Sequence, residues 1–150
     1  MVWKPNVTVA AVVEQAGKYL LVEEESQAGL VLNQPAGHLE PNESLIDAVI
    51  RETREESACL IEPTAVIGTY LWRHPVKDTT FLRVTFLGHI VETYPEQGLD
   101  DGIVRNLWMS RDELIAEQDR LRSPLVIQSI DDYLSGEHFP LHSLKYCIPS

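Results

Sequence analysis

Apolar and polar positions change period several times along the chain, and each change marks an element. Val7 to Val13 is a β-branched, apolar run and Lys18 to Val22 is a second; Gln15-Ala16-Gly17 lies between them, so the pair reads as a hairpin. Residues 23–29 are polar and contain glycine, the composition of a loop, and Leu30 to Leu32 is a short strand candidate. Beyond Gly37 the period becomes helical: Ile46, Val49, Ile50 and Thr53 recur as i, i+3, i+4, i+7 and form a packing stripe. Ser44 stands where it can cap that helix, with Asp47 three residues on and Glu43 just ahead adding negative charge at its positive end. Pro63 marks a break, after which Ala65 to Trp72 resumes a strand pattern.

From Thr79 to Glu92 the chain alternates, with Leu82, Val84 and Phe86 on one side and Arg83 and Thr85 on the other, the pattern of a half-buried strand. Residues 93–102 form an acidic loop and Ile103 to Trp108 a further strand. Ser110-Arg111-Asp112-Glu113 is a capping box that opens a short helix carrying Leu114 and Ile115. Ser123-Pro124 opens another helix running to about Leu134, with Gly136 as its stop. From Glu137 onward no element is assignable. Strands interrupted and followed by helices predict an α/β layered domain with a mixed sheet.

Composition bounds this picture. A chain of 150 residues with 44% hydrophobic content suits one domain over residues 1–150 with a real core. Cys59 and Cys147 are far apart and belong to no CxxC or Cys/His cluster, which suggests neither a zinc site nor a disulfide framework; Cys59 is expected to be buried. A net charge of -11 argues against a long nucleic acid as partner, because phosphate backbones are held by clustered Lys and Arg. A small phosphorylated ligand, its charge met locally by metal ions, stays compatible with it. With no basic segment followed by an apolar stretch at the N-terminus, and no apolar run near the roughly 18 residues of a membrane span, the expectation is a cytoplasmic protein, taken as a monomer and with no membrane partner.

Candidate chemistry concentrates in Gly37 to Cys59. Glu52, Glu55 and Glu56 are related as i, i+3 and i+4, so at about 100° per residue their carboxylates leave one face of the helix within reach of each other. The packing stripe lies roughly 120° around from them, which predicts one face for packing and another for chemistry. Three like charges together cost stability on an isolated helix, and divalent cations resolve the conflict, since hard ions such as Mg²⁺ take oxygen ligands from carboxylates and phosphates. Arg51, beside the acids, is placed to pair with Glu55 or to reach back to Glu43 and hold the loop against the helix.

The spacing Gly, five residues, Glu, seven residues, Arg-Glu, two residues, Glu-Glu resembles the Nudix hydrolase signature, matched at Gly37, Glu43, Arg51, Glu52, Glu55 and Glu56. Two positions depart from it: the family usually has an aliphatic residue where Thr53 stands and a glycine where Ala58 stands. If Ala58 takes the left-handed conformation of a terminating glycine, the cost is roughly 1 kcal/mol. The resemblance implies an α/β/α sandwich, with metal held by Glu52, Glu55, Glu56 and the Gly37 carbonyl. It further implies that one of the three glutamates serves as base, with the choice among Glu52, Glu55 and Glu56 left open by the sequence, and that Glu43 and Arg51 support the site. Mg²⁺ is the expected cofactor, with Mn²⁺ as substitute. Asp100 and Asp101 precede Ile103, where several members carry one further acid, and Asp101 is taken as that additional metal candidate.

Outside the box, Lys4-Pro5-Asn6-Val7-Thr8-Val9-Ala10, Asn33 to Glu40, Phe81-Leu82-Arg83 and Arg122-Ser123-Pro124-Leu125-Val126 resemble a bacterial phosphatase branch of the family, extending the resemblance over about residues 3 to 136. That branch implies release of orthophosphate from nucleoside tri- and diphosphates, and from thiamine pyrophosphate or its hydroxymethylpyrimidine pyrophosphate precursor. Pro75, 16 residues past Cys59, is placed as in some ADP-ribose hydrolases, so an ADP-ribose or other nucleoside-diphosphate pyrophosphohydrolase is the alternative enzyme. A nucleotide-binding module without catalysis is the alternative of another class, and loss of box acids would favour it; all of them are present.

Arg73, His74, Lys77 and Arg83 fall close together in an otherwise acidic chain. They either hold substrate phosphates, for which Arg73, Lys77 and Arg83 are the candidates, or carry ordinary surface charge. Trp3, Trp72 and Trp108 either pack in the core or stack on a base, and the core suits Trp108 best, since it lies in a strand. His38, next to Gly37, is a turn residue placed to touch substrate or to serve structure.

Overall fold

The computed structural model describes residues 1–147 and residue 149. Four strands form a mixed sheet in the order β5 (Ala36–His38), β1 (Asn6–Val12), β7 (Thr80–Thr93), β6 (Cys59–Arg73). The β1–β7 pair is parallel and the other two pairs are antiparallel. In a second, antiparallel sheet β3 (Lys18–Ser26) pairs with β2 (Glu14–Gln15), β4 (Gly29–Asn33) and β8 (Ile103–Ser110). The helices are α1 (Leu45–Ser57), α2 (Arg111–Ala116) and α3 (Leu125–Leu134). One apolar cluster joins Val9 and Ala11 of β1 and Val84 and Phe86 of β7 to Ala48 and Val49 of α1. Another joins Val12 of β1 and Ile67 of β6 to Leu21, Leu32 and the α3 residues Val126 and Ile130. Alternate residues of β1 thus enter different clusters, as the period of two in a strand requires, and helices lie on both faces of the mixed sheet.

Four expectations change. The first hairpin is confined to its tip: Glu14 and Gln15 pair with Tyr19 and Lys18 around Ala16 and Gly17, at φ of 52° and 77°, while β1 itself belongs to the mixed sheet. Residues 23–29 are not a loop. β3 runs to Ser26 and turns back at Gln27-Ala28, where the Ser26 hydroxyl accepts the Ala28 N–H at 3.1 Å. Three consecutive glutamates hide this strand, because Glu23 is neutralised in the interior by Arg105 and Arg120 at 3.1 and 2.9 Å. Pro63 does not break β6, which continues through a register shift there, a bulge that tolerates its missing N–H. Finally, β7 is buried on both faces from Arg83 to Phe86, since it lies between β1 and β6.

The Ser44 cap forms, with the Asp47 N–H donating to Oγ at 3.0 Å, and so does the capping box at Ser110. The buried face of α1 is Ala48, Val49, Glu52, Thr53 and Ser57, with Ile46 and Ile50 only half covered. Packing and acidic faces therefore overlap at Glu52. Ala58 ends the helix in the left-handed region at φ 58°, where its N–H donates to the Arg54 carbonyl at 2.9 Å and its carbonyl accepts the Tyr94 N–H at 2.8 Å. The Thr53 hydroxyl is fully buried and has no hydrogen-bond partner. Thr53→Val removes that unsatisfied group at nearly constant shape, and is expected to raise stability by about 1 kcal/mol, a melting shift of about 2–4 °C, read by thermal denaturation. A lower melting temperature would mean that a partner satisfies the hydroxyl.

The segment after Gly136 straps the fold. Val66 and Phe139 exchange both backbone hydrogen bonds at 2.8 Å, Leu141 and Leu144 pack on the α1 cluster, and the Tyr146 hydroxyl donates to the Asn42 carbonyl at 2.8 Å. Among the described residues no helix is long and apolar enough to cross a membrane.

Candidate active site

The site forms where β5 passes under α1. Val9 and Gly37 are cross-strand partners, which fixes Gly37 in the sheet beneath the helix. A Cβ built on Gly37 would fall within the carboxyl group of Glu52, so only glycine lets strand and acid approach this closely. Glu52 is 9% exposed, and burial raises the pKa of its carboxyl against the opposing pull of Arg51.

Arg51 organises the acids. Its Nε and Nη2 donate to the two oxygens of Glu43 at 2.7 and 3.0 Å, while Nη1 donates to Glu52 at 2.8 Å and Glu55 at 3.2 Å. Nη2 also reaches the His38 carbonyl at 3.1 Å, so Arg51 takes both partners that its position in the sequence offers and ties β5 to the helix as well. The bidentate pair lowers the pKa of Glu43, and Glu43 accepts the Glu40 N–H at 3.0 Å, which fixes the turn into α1.

Carboxylate oxygens of Glu52, Glu55 and Asp100 lie within 4.8 Å of one another. The loop acid that joins the helix is thus Asp100, and the exposed Asp101 is not in this group. The Asp100 N–H donates to the Glu55 carbonyl at 3.0 Å, and this bond directs the Asp100 side chain toward the helix. One arginine cannot neutralise such a group, and its oxygen donors and spacing suit a hard divalent cation. Glu56 is not one of these three; it accepts the Ala36 N–H at 2.9 Å, and burial, added to by the charges of Glu24, Glu52 and Asp100, pushes its pKa up to about 8.

A cleft of about 720 Å³ opens beside these acids, with Gly37, Glu52 and Glu56 in its wall. Arg83 lines it from β7 at 6% exposure. Its Nη2 faces Asn33 Oδ1 and Gln34 Oε1 at 3.4 and 3.5 Å, and its Nε has no partner. Gln34 is held in turn by α3, donating to the Val126 carbonyl at 3.0 Å and the Ser129 hydroxyl at 2.7 Å. Burial lowers the pKa of Arg83 to about 10, opposed by the nearby carboxylates of Glu56 and Glu24. Lys77, His74 and His38 also line the cleft.

Arg73 does not. It is exposed and pairs with Asp78 at 3.3 Å, because it alternates with Trp72 on the last strand positions of β6. Of the tryptophans, Trp108 packs on the α1 cluster, Trp3 is exposed and Trp72 faces the cleft; Cys59 is buried. Glu24 and Arg122, paired at 3.0 Å, belong to the cleft wall as well. Glu24 escapes a reading of residues 23–29 as loop, and no local pattern in Glu23-Glu24-Glu25 signals its place in the wall.

Residues 3–129 match the NUDIX domain. The chain is 42% identical to the phosphatase NudJ of Escherichia coli K12 over 142 residues, which cover 95% of this chain and 92% of that protein. It is also similar to a solved NUDIX hydrolase from Nitrosomonas europaea, at 51% identity and a TM-score of 0.93, over 96% of this chain and 98% of the other. An ADP-ribose pyrophosphatase from Streptococcus suis shares the fold, with a TM-score of 0.69 at 21% identity over 91% of this chain and 96% of that one. The chain therefore belongs to the Nudix family and is a hydrolase of phosphorus-containing acid anhydrides.

Proposed function

We propose that this hydrolase removes terminal phosphate groups one at a time, releasing orthophosphate from nucleoside tri- and diphosphates and from thiamine pyrophosphate or hydroxymethylpyrimidine pyrophosphate. The observation that carries this reading is that a single cleft is lined both by the box acids Glu52 and Glu56 and by the cations Arg83 and Lys77. A phosphate tail is gripped there through its charge. The similarity to NudJ, named a phosphatase, supports the same choice of bond.

In this reading Glu52, Glu55 and Asp100, with the Gly37 carbonyl, hold Mg²⁺ or Mn²⁺. When bound, such an ion screens the phosphate oxygens and stabilises the charge that develops on the leaving oxygen. Glu56 is not one of those three carboxylates; anchored by the Ala36 N–H, it accepts a proton from the attacking water. Burial raises its pKa in the metal-free fold, and the positive charge of a bound cation would favour the ionised form that takes the proton. The water oxygen bonds to phosphorus as the bridging P–O bond breaks, and the leaving diphosphate or monophosphate keeps the bridging oxygen. Arg83, which lines the cleft, holds a non-bridging oxygen through its guanidinium. Arg51 and Glu43 keep the helix and the β5 turn in register.

Early time points with ATP test the choice of bond. ADP is expected to appear transiently and then AMP, with orthophosphate throughout, and thiamine pyrophosphate is expected to yield its monophosphate. AMP with stoichiometric pyrophosphate and no ADP would place the attack at an inner phosphorus. Faster turnover of ADP-ribose than of ADP would favour a nucleoside-diphosphate pyrophosphohydrolase instead.

A further inference from the structure

The cleft has an aromatic wall that the hydrolytic reading leaves without a task. Trp72 on β6 and Phe81 on β7 are cross-strand partners, and their rings stack with centroids 5.9 Å apart and planes 21° from parallel. The rings of Trp72 and Phe81 both line the same cleft as Glu52, Glu56 and Arg83. Neither is fully covered, although an aromatic pair of this size normally buries itself against neighbours. Their place along the strand is as informative as their exposure. Phe81 and Arg83 are two positions apart on β7, so they share a face of the sheet at a separation of about 7 Å along the strand.

The wall is held in place before any ligand arrives. His74 sits edge-on to Trp72 with ring centroids 5.5 Å apart. Its Nδ1 accepts both the Val76 and Lys77 N–H groups, at 3.1 and 3.0 Å, and the His74 N–H closes the turn onto the Thr79 carbonyl at 2.9 Å. The imidazole is thereby fixed in the tautomer with its proton on Nε2, and it buttresses the indole.

We infer that Trp72 and Phe81 form the subsite for the heteroaromatic ring of the substrate, stacking on any flat nitrogen heterocycle whose phosphate tail lies along Arg83 toward the acids. This rests on the phosphoanhydride reading above and adds to it the part of the substrate that does not react. Recognition by stacking is tolerant of ring identity, because every heterocycle presents a π face. Purine nucleotides and pyrimidine-bearing diphosphates are then accepted on one platform, while an inorganic polyphosphate gains nothing from it.

The test compares the KM for ADP with the competitive inhibition constant of inorganic tripolyphosphate, in the wild type, Trp72→Ala and Trp72→Phe. Loss of one stacking partner is expected to raise the KM for ADP about tenfold or more in Trp72→Ala. Trp72→Phe keeps a ring and is expected to retain most of the affinity, and the tripolyphosphate constant is expected to stay within about twofold in both. An unchanged KM in Trp72→Ala, or equal losses for ADP and tripolyphosphate, would overturn the assignment. A second readout is independent of turnover: a non-hydrolysable ADP analogue should quench the fluorescence of the wild type and not that of Trp72→Phe. Quenching with no hydrolysis of any anhydride would refute the catalytic reading and leave the subsite standing, whereas quenching that persists in Trp72→Phe would refute the subsite alone.

Discussion

Replacing Glu56 by glutamine is expected to lower kcat by about 100-fold or more while leaving the fold intact, the scale on which removal of a key charged group registers. Glutamine keeps the shape of the side chain and the oxygen that accepts the Ala36 N–H, so the local hydrogen bond survives. In the proposed mechanism, what is lost is the ability to take a proton from water in the reacting complex. Stability should move the other way. Burial raises the pKa of Glu56 from 4.5 to about 8, so the folded state favours the protonated form. That contribution to stability is complete below the unfolded pKa and is lost as pH rises through the folded one. The metal-free wild type therefore loses stability between about pH 4.5 and 8 through this group, and Glu56→Gln does not. Thermal denaturation in chelator should show the variant gaining on the wild type as pH rises across that window. Near-normal turnover, or a melting difference independent of pH, would assign Glu56 a different role.

Much of the site was legible in the sequence because helix geometry converts spacing directly into proximity. Glu52, Glu55 and Arg51 meet as their separations require, and Glu43 reaches Arg51 as the turn before Ser44 suggests. Which carboxylates lie together was not legible. Glu56 shares a helix face with Glu52, yet its carboxylate is bound by the Ala36 N–H of a neighbouring strand, and no local pattern encodes that strand. The choice of Asp100 over Asp101 has a similar origin: a backbone bond from Asp100 to Glu55 decides which loop carboxylate faces the helix. Arg73 was grouped with Lys77 and Arg83 by nearness in sequence, and strand alternation sends it to the opposite side from Trp72.

The fold divides along the same line. Elements with a strong period or a cap, such as α1 and the capping box at Ser110, follow from local chemistry. Elements stabilised by distant partners do not. The Glu23-Glu24-Glu25 strand depends on Arg105, Arg120 and Arg122, which lie far along the chain. The segment around Phe139 takes its conformation from Val66. Ala58 is an intermediate case: its left-handed backbone is locally unfavourable, and it is held by hydrogen bonds to Arg54 and Tyr94 and by burial of its methyl group.

Metal dependence is expected because the carboxylates of Glu52, Glu55 and Asp100 lie together and, among the described residues, Arg51 is the cation hydrogen-bonded to Glu52 and Glu55. A cation that binds the folded chain at 100 times its dissociation constant adds roughly 2.7 kcal/mol of stability by mass action, so binding is visible without turnover. The most direct measurement is a Mg²⁺ titration of exhaustively chelated protein, following orthophosphate release from ADP and the melting temperature in parallel. Hydrolysis should be absent at the start and should return, with Mg²⁺ or with Mn²⁺, over the same concentration range in which the melting temperature rises. Hydrolysis that survives exhaustive chelation would contradict the proposed mechanism.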